Sequence, residues 1–340
     1  MASFRLKGGQ VDEAHEAVDA EIKELAKKIN SEYRKAAKRV TEQLKRGLGD
    51  YERERRKKSA EYAERISRLT DQSAKDALAE EFKAWRDAAL AEATAREDLL
   101  ARINYEILDA DRLAREIVAG RTGEVFTANV AWGTWQIERG LGSTCTAWTL
   151  YDQDTVARLL SENPDLYPVP DLDVQKAWRW NAQHLQSTIT QAAVSGASVD
   201  DIAKDLRRVM AMNVRDSIRV ARTAMTGAEN AGRVNAYQRA HDMGIELEQM
   251  WLATLDGRTR PSHRELDGES VPVSSAFSNG CRFPGDPSGP AEEVMNCRCT
   301  LIANLSGFER DVRTLDGRWS RLPDGMTYEQ WRSMKGEQNG

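Results

Sequence analysis

The chain has 340 residues, of which 40% are hydrophobic and 30% are charged, and its formal net charge is −5 at pH 7. This length suits about two domains, and four cysteines are too few for a disulfide-based secreted scaffold. The acidic balance argues against a general nucleic-acid-binding protein, and no run approaches the roughly 18 apolar residues of a membrane span. Because no secretory leader of the usual form is visible, the sequence predicts a protein of the reducing cytosol.

The N-terminal third of the chain is predicted to be helical. Apolar residues recur every three or four positions over 11–48, which is typical of the seam of a coiled coil or helical hairpin. Gly47 and Gly49 break this stripe, and a second stripe follows over 62–107. We therefore predict a helical hairpin or coiled-coil arm over residues 1–120. Its seam is narrow, so we expect it to need cover from a partner or from a second copy.

A basic cluster lies at the end of the segment 21–58, in which basic residues outnumber acidic ones. Clustered Lys and Arg on a helix can follow a phosphate backbone through counterion release. Charge runs are more often solvated helix faces with internal ion pairs, and no aromatic residues are interleaved for base stacking. Both interpretations stay open. The candidate nucleic-acid contacts are Arg53, Arg55, Arg56, Lys57 and Lys58.

The sequence changes in character over residues 121–173. Tryptophans lie among glycines and threonines, and a proline-punctuated loop follows at 163–173. We predict an irregular, tryptophan-rich connector in which Cys145 is a small buried residue. The tryptophan anchors are Trp132, Trp135 and Trp148.

Residues 174–305 are predicted to form a domain of helices with a small sheet. One helix closes at Gly196, and Ser198 with Asp201 forms a capping-box-like start for the next. A third helix ends at Gly244 in the C-cap position. A strand, a tight Asp-Gly turn and a second strand or loop are expected to follow, with a closing strand near the end of the domain.

The C-terminal tail, residues 306–340, carries Asp-Gly turns and is predicted to end in a short helix. Thr327 suits the N-cap of this helix, and Trp331 lies on its apolar side. The sequence leaves open whether the tail folds back on the domain or docks on a neighbour.

Three segments carry a resemblance to a known family. They are ARTAMTGAENAGR (221–233), MWLATLDGRTRPSHRELDG (250–268) and FPGDPSGPAEEVMNCRCTL (283–301). In this order and at this spacing they resemble the Mu F-like, or SPP1-type, minor head proteins of tailed phages, over about residues 174–303. The motif residues are Arg222, Thr223, Trp251, Asp256, Arg258, His263, Gly268, Asn296, Cys297 and Cys299.

This resemblance implies an α+β domain that acts in head morphogenesis, with no cofactor established for the family. It implies a protein present in few copies in the capsid interior near the portal, after assembly in the host cytoplasm. The implied partners are the portal protein and the major capsid or scaffold protein, and phage DNA is a further candidate. We expect the N-terminal helices to be the docking arm, in an oligomeric or partner-bound state with no membrane partner.

Four candidate soft-metal ligands lie in the C-terminal half. Three thiolates and one imidazole make a suitable tetrahedral zinc set. Buried packing thiols and a disulfide are alternatives, and the sequence favours packing thiols over a metal. If the last two cysteines lie on a strand, both point to one face of it. The candidate ligands are His263, Cys281, Cys297 and Cys299.

Polar residues around the same motifs offer a catalytic alternative. A histidine with carboxylates can transfer protons, and an arginine can hold a phosphate. An internal ion pair of Arg222 with Asp256 or Asp267 is the simpler explanation. The sequence has no P-loop, no Gly-x-Ser-x-Gly elbow and no His-Glu-x-x-His helix, so we predict a protein that is not an enzyme. The residues of the catalytic alternative are Arg222, Glu229, Asp256 and His263.

Together these patterns predict an α+β protein with a long, coiled-coil-like helical arm. A compact, mostly helical domain with a small antiparallel sheet follows it. The predicted function is that of a minor capsid protein with a structural role in head morphogenesis. One alternative is a DNA-binding protein that is packaged or ejected with the genome. The other is a nucleotide-using transferase or nuclease-like toxin domain.

Overall fold

The computed structural model confirms the predicted α+β class, with long helices and two small antiparallel sheets. The described residues are 12–95, 99–146, 148, 150, 151, 153–162, 172–305 and 319–338. The first residue of the predicted seam, most of the proline-punctuated loop and the stretch 306–318 of the tail lie outside these residues. Within them, no helix combines the length and the apolar character that a membrane span requires.

The long helices come first in the chain, and the short strands are concentrated in its C-terminal part. The helices are α1 (Glu13–Gly47), α2 (Gly49–Ser67), α3 (Gln72–Ala95), α4 (Leu99–Leu141), α5 (Gln153–Glu162), α6 (Val174–Ser195), α7 (Val199–Asp242), α8 (Pro261–Glu265), α9 (Ala291–Val294) and α10 (Tyr328–Gln338). The strands are β1 (Ser143–Cys145), β2 (Glu248–Leu252), β3 (Ser270–Pro272), β4 (Thr300–Asn304) and β5 (Trp319–Arg321).

The chain forms two compact units, each built from separated stretches of sequence. Unit 1 comprises Met1–Ala26, Glu116–Pro170 and Ile218–Gly340, and unit 2 comprises Lys27–Arg115 and Asp171–Ser217. This grouping differs from the predicted succession of arm, connector, domain and tail. The reason is that α1, α4 and α7 are continuous helices that each contribute residues to both units.

The apolar seam of α1 is buried within the chain itself. In unit 2, the Tyr33 hydroxyl donates to the carboxylate of Asp111 on α4 and lies 2.9 Å from Ser217 Oγ on α7. The expectation that the seam needs a partner is therefore wrong, because the chain's own helices cover it. The buried seam residues are Val18, Ile22, Leu25, Ile29, Tyr33, Ala36, Val40, Leu44 and Leu48.

The predicted break at the two glycines is confirmed. Helix α1 ends at Gly47 and α2 begins at Gly49, with Leu48 fully buried between them. A Cβ on Gly47 would lie 2.9 Å from Cδ2 of Leu99, so the glycine allows α4 to approach closely. Helices α2 and α3 then form a hairpin, in which the ring of Tyr62 packs on that of Phe82 at 4.6 Å between centroids.

Helix α4 runs through Leu141, so the prediction of an irregular connector is wrong for residues 121–141. Trp132 and Trp135 lie on this helix and are buried. The glycines that suggested irregular structure have a packing role instead. A Cβ on Gly133 would lie 2.9 Å from Cβ of Ala236 on α7, so this glycine permits close contact of two helices in unit 1.

Helix α7 is a single helix where the sequence predicted two. Its predicted start is confirmed, because the Ser198 hydroxyl donates to Asp201 Oδ2 (2.7 Å) and the Asp201 N–H donates back to Ser198 Oγ (3.2 Å). The predicted ends of α6 and α7 are also confirmed, because Gly196 and Gly244 have φ angles of 68° and 84°.

The three-stranded sheet of unit 1 has the order β3-β2-β4, and both strand pairs are antiparallel. Met250 in the central strand pairs with Ser270 on one side and with Ile302 on the other. The predicted tight Asp-Gly turn after β2 is wrong, because β2 and β3 are joined by a longer connection that contains α8. This connection carries one part of the site described below.

The C-terminal tail folds back on unit 1. Strand β5 pairs with β1, and the predicted N-cap of α10 is confirmed by reciprocal hydrogen bonds between Thr327 and Gln330 (2.9 and 3.3 Å). Trp331 is fully buried, and its Nε1 donates to the carboxylate of Glu138 on α4 (2.6 Å). Lys335 Nζ donates to the same carboxylate (2.8 Å), so a buried ion pair anchors the final helix.

Candidate metal centre

Three side chains with metal-ligating atoms meet in the interior of unit 1. Nδ1 of His263 lies 3.4 Å from Sγ of Cys299 and 3.6 Å from Sγ of Cys297. The three ligand atoms all lie within 4.8 Å of one another. Each of the three residues is only 2% exposed. The cluster is therefore a compact set of one imidazole and two thiols, shielded from solvent.

The local fold around the sheet brings these residues together. His263 lies on α8, whose first turn begins with Pro261. Its ring packs edge-on against Trp251 of β2, with 5.3 Å between centroids. Cys297 and Cys299 lie just before β4 rather than on it, as the strand prediction had placed them. Both sulfur atoms still face the same imidazole.

Residues of the family motif hold the cysteine segment against α7. Asn296 has a left-handed φ of 62°. Its N–H donates to Thr223 Oγ1 (2.9 Å), and its side-chain oxygen accepts from Arg222 (2.5 Å). The Thr226 hydroxyl donates to the carbonyl of Cys297 (3.0 Å). These contacts fix the backbone that presents the two thiols.

A carboxylate lies next to Nε2 of His263, the ring nitrogen that does not face the two thiols. Oε2 of Glu293, on α9, is 3.0 Å from Nε2 of His263, which is within ion-pair distance, although the buried Nε2 forms no hydrogen bond of standard geometry. Glu293 also accepts hydrogen bonds from Ser262 Oγ (3.1 Å) and Asn279 Nδ2 (3.2 Å). A carboxylate on the second ring nitrogen is the usual means of orienting a metal-binding histidine. Sequence analysis missed Glu293, although it lies only four residues before Cys297.

The two thiols have opposite tendencies to ionise. The hydrogen bond from Cys297 lowers the pKa of Cys299, although burial opposes this, and His263 and the backbone N–H of Thr254 support the Cys299 thiolate. The same sulfur–sulfur hydrogen bond, together with burial, raises the pKa of Cys297. Cys299 is therefore the more readily ionised thiol of the pair.

This geometry matches two kinds of chemistry. A thiol, an imidazole and a carboxylate in sequence can activate a cysteine nucleophile. Two thiols and an imidazole can instead hold a metal ion. The 2% exposure of Cys297 and Cys299 leaves no approach for a substrate to either sulfur atom. The arrangement therefore favours metal binding over nucleophilic catalysis.

The four-ligand set considered from the sequence is only partly assembled. Cys281 is fully buried, but it is not part of the group formed by the other three ligands. It packs beside Gly289, where a Cβ would lie 2.5 Å from the sulfur atom. Burial raises the pKa of Cys281 to about 12, with a further contribution from Asp286. None of the four cysteines, which all lie in described segments, forms a disulfide, so Cys281 is a packing thiol.

The four residues of the catalytic alternative each bind a different residue of the segment 296–300. The predicted ion pair of Arg222 with Asp256 or Asp267 is not formed, because Arg222 binds Asn296. Asp256 instead accepts two hydrogen bonds from Arg298 (2.5 and 2.7 Å), which lower the pKa of this carboxyl. His263 faces the two thiols, and Glu229 belongs to a separate network described below.

Three motif positions, Gly268, Trp251 and Arg258, have structural roles or lie at the surface. Gly268 has a φ of 84°, and its N–H donates to the carbonyl of Trp251 (2.9 Å). Trp251 is fully buried beside the candidate site. Arg258 is exposed over 81% of its side chain and lies 3.8 Å from Asp256. The motif therefore contributes mainly to the frame around the His–Cys cluster.

A buried ionic network in unit 1 was not predicted. Arg233 on α7 is fully buried and donates to both carboxylate oxygens of Asp12 (2.6 and 3.0 Å) and to the carbonyl of Leu301 (2.8 Å). It also pairs with Glu229 (3.1 Å), and Glu229 lies 2.9 Å from Nδ1 of His15. Burial is the largest single effect on the His15 ring and opposes its protonation, but the charge and the hydrogen bond of Glu229 together outweigh it and raise the pKa of His15 to about 9. The network ties the start of α1 to α7 and β4.

The basic cluster on α2 is largely paired within its own helix. Ion pairs join Arg53 to Asp50, and both Arg55 and Arg56 to Glu52. Lys58 Nζ lies 5.0 Å from the centre of the Trp85 ring, and Lys57 is exposed. These contacts are typical of a solvated, ion-paired helix face. Contact with nucleic acid at this cluster stays a prediction.

Comparison with known proteins identifies the domain that contains the candidate site. Residues 183–302 match the family described as Phage Mu protein F like protein. This segment includes α7, β2, β3 and the His–Cys cluster. The domain therefore belongs to the Mu F-like family, as its motifs predicted.

Curated relatives match less than half of this chain. An NAD(+)–arginine ADP-ribosyltransferase EFV of Enterococcus faecalis is 29% identical over 46% of this chain and 33% of the relative. Minor head protein GP7 of Bacillus phage SPP1 is 28% identical over 45% of this chain and 51% of the relative. An uncharacterized protein of Haemophilus influenzae is 30% identical over 38% of this chain and 26% of the relative. The chain thus spans about half or less of these relatives' lengths, and no solved structure matches it.

Proposed function

We propose that this chain is a structural minor head protein of a tailed phage and is incorporated into the head during assembly. The family match and the similarity to the minor head protein of phage SPP1 support this function. The observation that carries the proposal is the role of the motif residues. Arg222 and Thr223 both bind Asn296, and this contact holds the neighbouring buried cysteines beside α7.

The proposed place of the protein is the capsid interior next to the portal, and the portal is the first partner to test. Because the α1 seam is covered within the chain, another surface must make this contact. Exposed apolar side chains are typical of protein interfaces. Among the described residues, the exposed large apolar side chains are Tyr105, Val174, Trp178, Met212 and Leu255.

Unit 2 is the proposed docking surface, because it contains all of these side chains except Leu255. Tyr105 is 65% exposed and Trp178 is 36% exposed, and their helices contact each other through a hydrogen bond from Asn104 Nδ2 to the Trp178 carbonyl (3.0 Å). Aromatic side chains in such positions frequently contribute most of the binding energy at an interface.

The test is co-expression with the portal and capsid proteins of the same phage, followed by quantification of the chain in purified particles. The double variant Tyr105→Ser/Trp178→Ser removes two apolar anchors, and Leu255→Ser removes an equally exposed apolar residue from unit 1. Two such anchors typically contribute about 2 kcal/mol or more to the binding free energy at an interface. We therefore expect the double variant to be incorporated roughly 30-fold less, or lower still. We expect the control to incorporate like the wild type.

The possible outcomes test the head-protein proposal and the docking surface independently. A wild-type chain that is absent from particles would overturn the head-protein proposal. Normal incorporation of the double variant would leave the function intact and overturn the docking surface.

We also propose that the chain is not an enzyme. The name of the Enterococcus faecalis relative raises the alternative of ADP-ribosyl transfer, but that similarity covers only a third of the relative. In this chain, Arg222, Glu229 and Asp256 have separate structural partners. Incubation with labelled NAD⁺ and an arginine-containing acceptor should give no transfer above a heat-denatured control. Transfer by the wild-type chain would contradict a purely structural role.

A further inference from the structure

We propose that His263, Cys297 and Cys299 bind one Zn²⁺ ion in the core of the Mu F-like domain. The ion would be held by Nδ1 of the histidine and by the two thiolates. Two soft sulfur ligands and one imidazole suit Zn²⁺ better than Mg²⁺ or Ca²⁺, which prefer oxygen ligands. These three side chains supply three of the four positions of a tetrahedral ion.

The spacing of the ligand atoms fits this ion. Zn²⁺ lies about 2.3 Å from sulfur and about 2.0 Å from nitrogen, so a tetrahedral angle separates sulfur and nitrogen by about 3.5 Å. The two sulfur-to-Nδ1 distances are 3.4 and 3.6 Å. Little rearrangement of His263, Cys297 or Cys299 would therefore be needed to accept the ion.

The surroundings supply the contacts that metal ligands require. Glu293 lies on the second nitrogen of His263 (3.0 Å) and is itself fixed by Ser262 and Asn279. The backbone N–H of Cys299 points to Sγ of Cys297 (3.4 Å), as N–H groups do around zinc thiolates. Carboxylate–histidine contacts of this kind orient the ring and increase its basicity.

The proposed ion has a structural role. It would join α8, in the connection between β2 and β3, to the segment that leads into β4. Because each ligand is 2% exposed, a substrate cannot reach the ion. Removal of the ion should therefore loosen the connection that carries α8 and lower the melting temperature, without abolishing a chemical activity.

The experiment is zinc analysis of the purified full chain after exhaustive dialysis, by mass spectrometry of the metal. We expect about one zinc per chain for the wild type, and for Cys281→Ser and Cys145→Ser, because these change buried thiols outside the cluster. Cys297→Ser and Cys299→Ser should each lose most of the zinc. A wild-type chain that stays metal-free after incubation with Zn²⁺ would overturn the proposal, as would full zinc retention in both cluster variants.

A second pair of variants tests the site without removing a ligand. Glu293→Gln should weaken zinc affinity about 10- to 100-fold in competition with a chromogenic chelator, whereas Glu292→Gln alters an exposed neighbouring carboxylate and should have no effect. If the cysteine variants fail to fold, cobalt substitution of the wild type decides the matter. Thiolate-to-cobalt absorption with a tetrahedral visible spectrum supports the site, and a spectrum of octahedral cobalt without sulfur ligands contradicts it.

Discussion

Replacement of Arg233 by methionine tests the buried ionic network that links the N-terminal helix to the Mu F-like domain. Methionine keeps most of the apolar stem of the side chain but removes its charge. The variant loses two hydrogen bonds to Asp12 (2.6 and 3.0 Å), one to the carbonyl of Leu301 (2.8 Å) and the 3.1 Å ion pair with Glu229.

The expected magnitude follows from what remains buried. Asp12 and Glu229 expose 6% and 0% of their side chains, so two carboxylates would be left with His15 as their nearby cation. Breaking a buried ion pair by removing one partner costs about 3–5 kcal/mol. We therefore expect Arg233→Met to lower the free energy of unfolding by about this amount.

The assay is denaturant unfolding with linear extrapolation to water. The matched control is Arg53→Met, which makes the same substitution at an arginine that exposes 77% of its side chain and pairs with Asp50. Exposed ion pairs contribute about 0–1 kcal/mol, so the control should change stability little. The double variant Arg233→Met/Asp12→Asn should be destabilised by less than the sum of its single variants.

A decrease of less than about 1 kcal/mol in the free energy of unfolding for Arg233→Met would refute this reasoning. Removal of a fully buried cation should destabilise the protein by more than this if its two carboxylate partners stay charged. Strictly additive effects of Arg233→Met and Asp12→Asn would also contradict it, because the two side chains are in direct contact.

Three further predictions concern other charged residues. The pKa of His15 is raised from about 6.5 to about 9, so its stabilising effect is complete below pH 6.5 and is lost as pH rises through 9. His15→Gln should therefore remove up to about 3 kcal/mol from the pH dependence of the free energy of unfolding. If this pH dependence is the same in the variant and the wild type, the contact of His15 with Glu229 is contradicted. Lys335→Met should cost about 3 kcal/mol in unfolding free energy because Glu138 stays buried, whereas Lys38→Met, at an 81% exposed side chain, should be neutral. The chain should bind duplex DNA weakly, and the double variant Lys57→Ala/Lys58→Ala should bind it with similar affinity at low salt. A more than 10-fold fall in the affinity of this variant would instead support the DNA-binding alternative.

Local signals in the sequence predicted the helix boundaries well. Ser198 with Asp201, Thr327 with Gln330, and the glycine at 244 all act through contacts within a few residues. Such caps depend on neighbouring residues alone, so they can be inferred without knowledge of the tertiary fold.

The prediction of irregular structure over 121–141 was wrong because the glycines there serve contacts with residues distant in sequence. Gly133 lies inside α4 because Ala236 packs against it, and nothing near residue 133 in the sequence reveals that contact. The periodic seam of α1 was located correctly, but its cover was not. Asp111 and Ser217 contact Tyr33 across 78 and 184 residues of sequence.

The candidate site was predicted in part for the same reason. Cys297 and Cys299 are adjacent in sequence, and His263 stood out as one of four histidines. Cys281 was included because of its residue type alone. Glu293 was overlooked because nothing in the sequence distinguishes it from the many carboxylates that lie at the surface. The i to i+4 spacing of Glu229 and Arg233 on α7 was a signal for the buried network, but the pairing with Asp12 over 221 residues required the structure.

The central claim is that this chain, which carries a Mu F-like domain at residues 183–302, is a structural part of a phage head. The most direct measurement is quantitative mass spectrometry of the chain in salt-washed, density-purified particles of the phage that encodes it. We predict a fixed, small number of copies per particle, retained after the wash and enriched relative to the lysate. Particles that assemble fully and lack the chain at every stage of purification would contradict the claim.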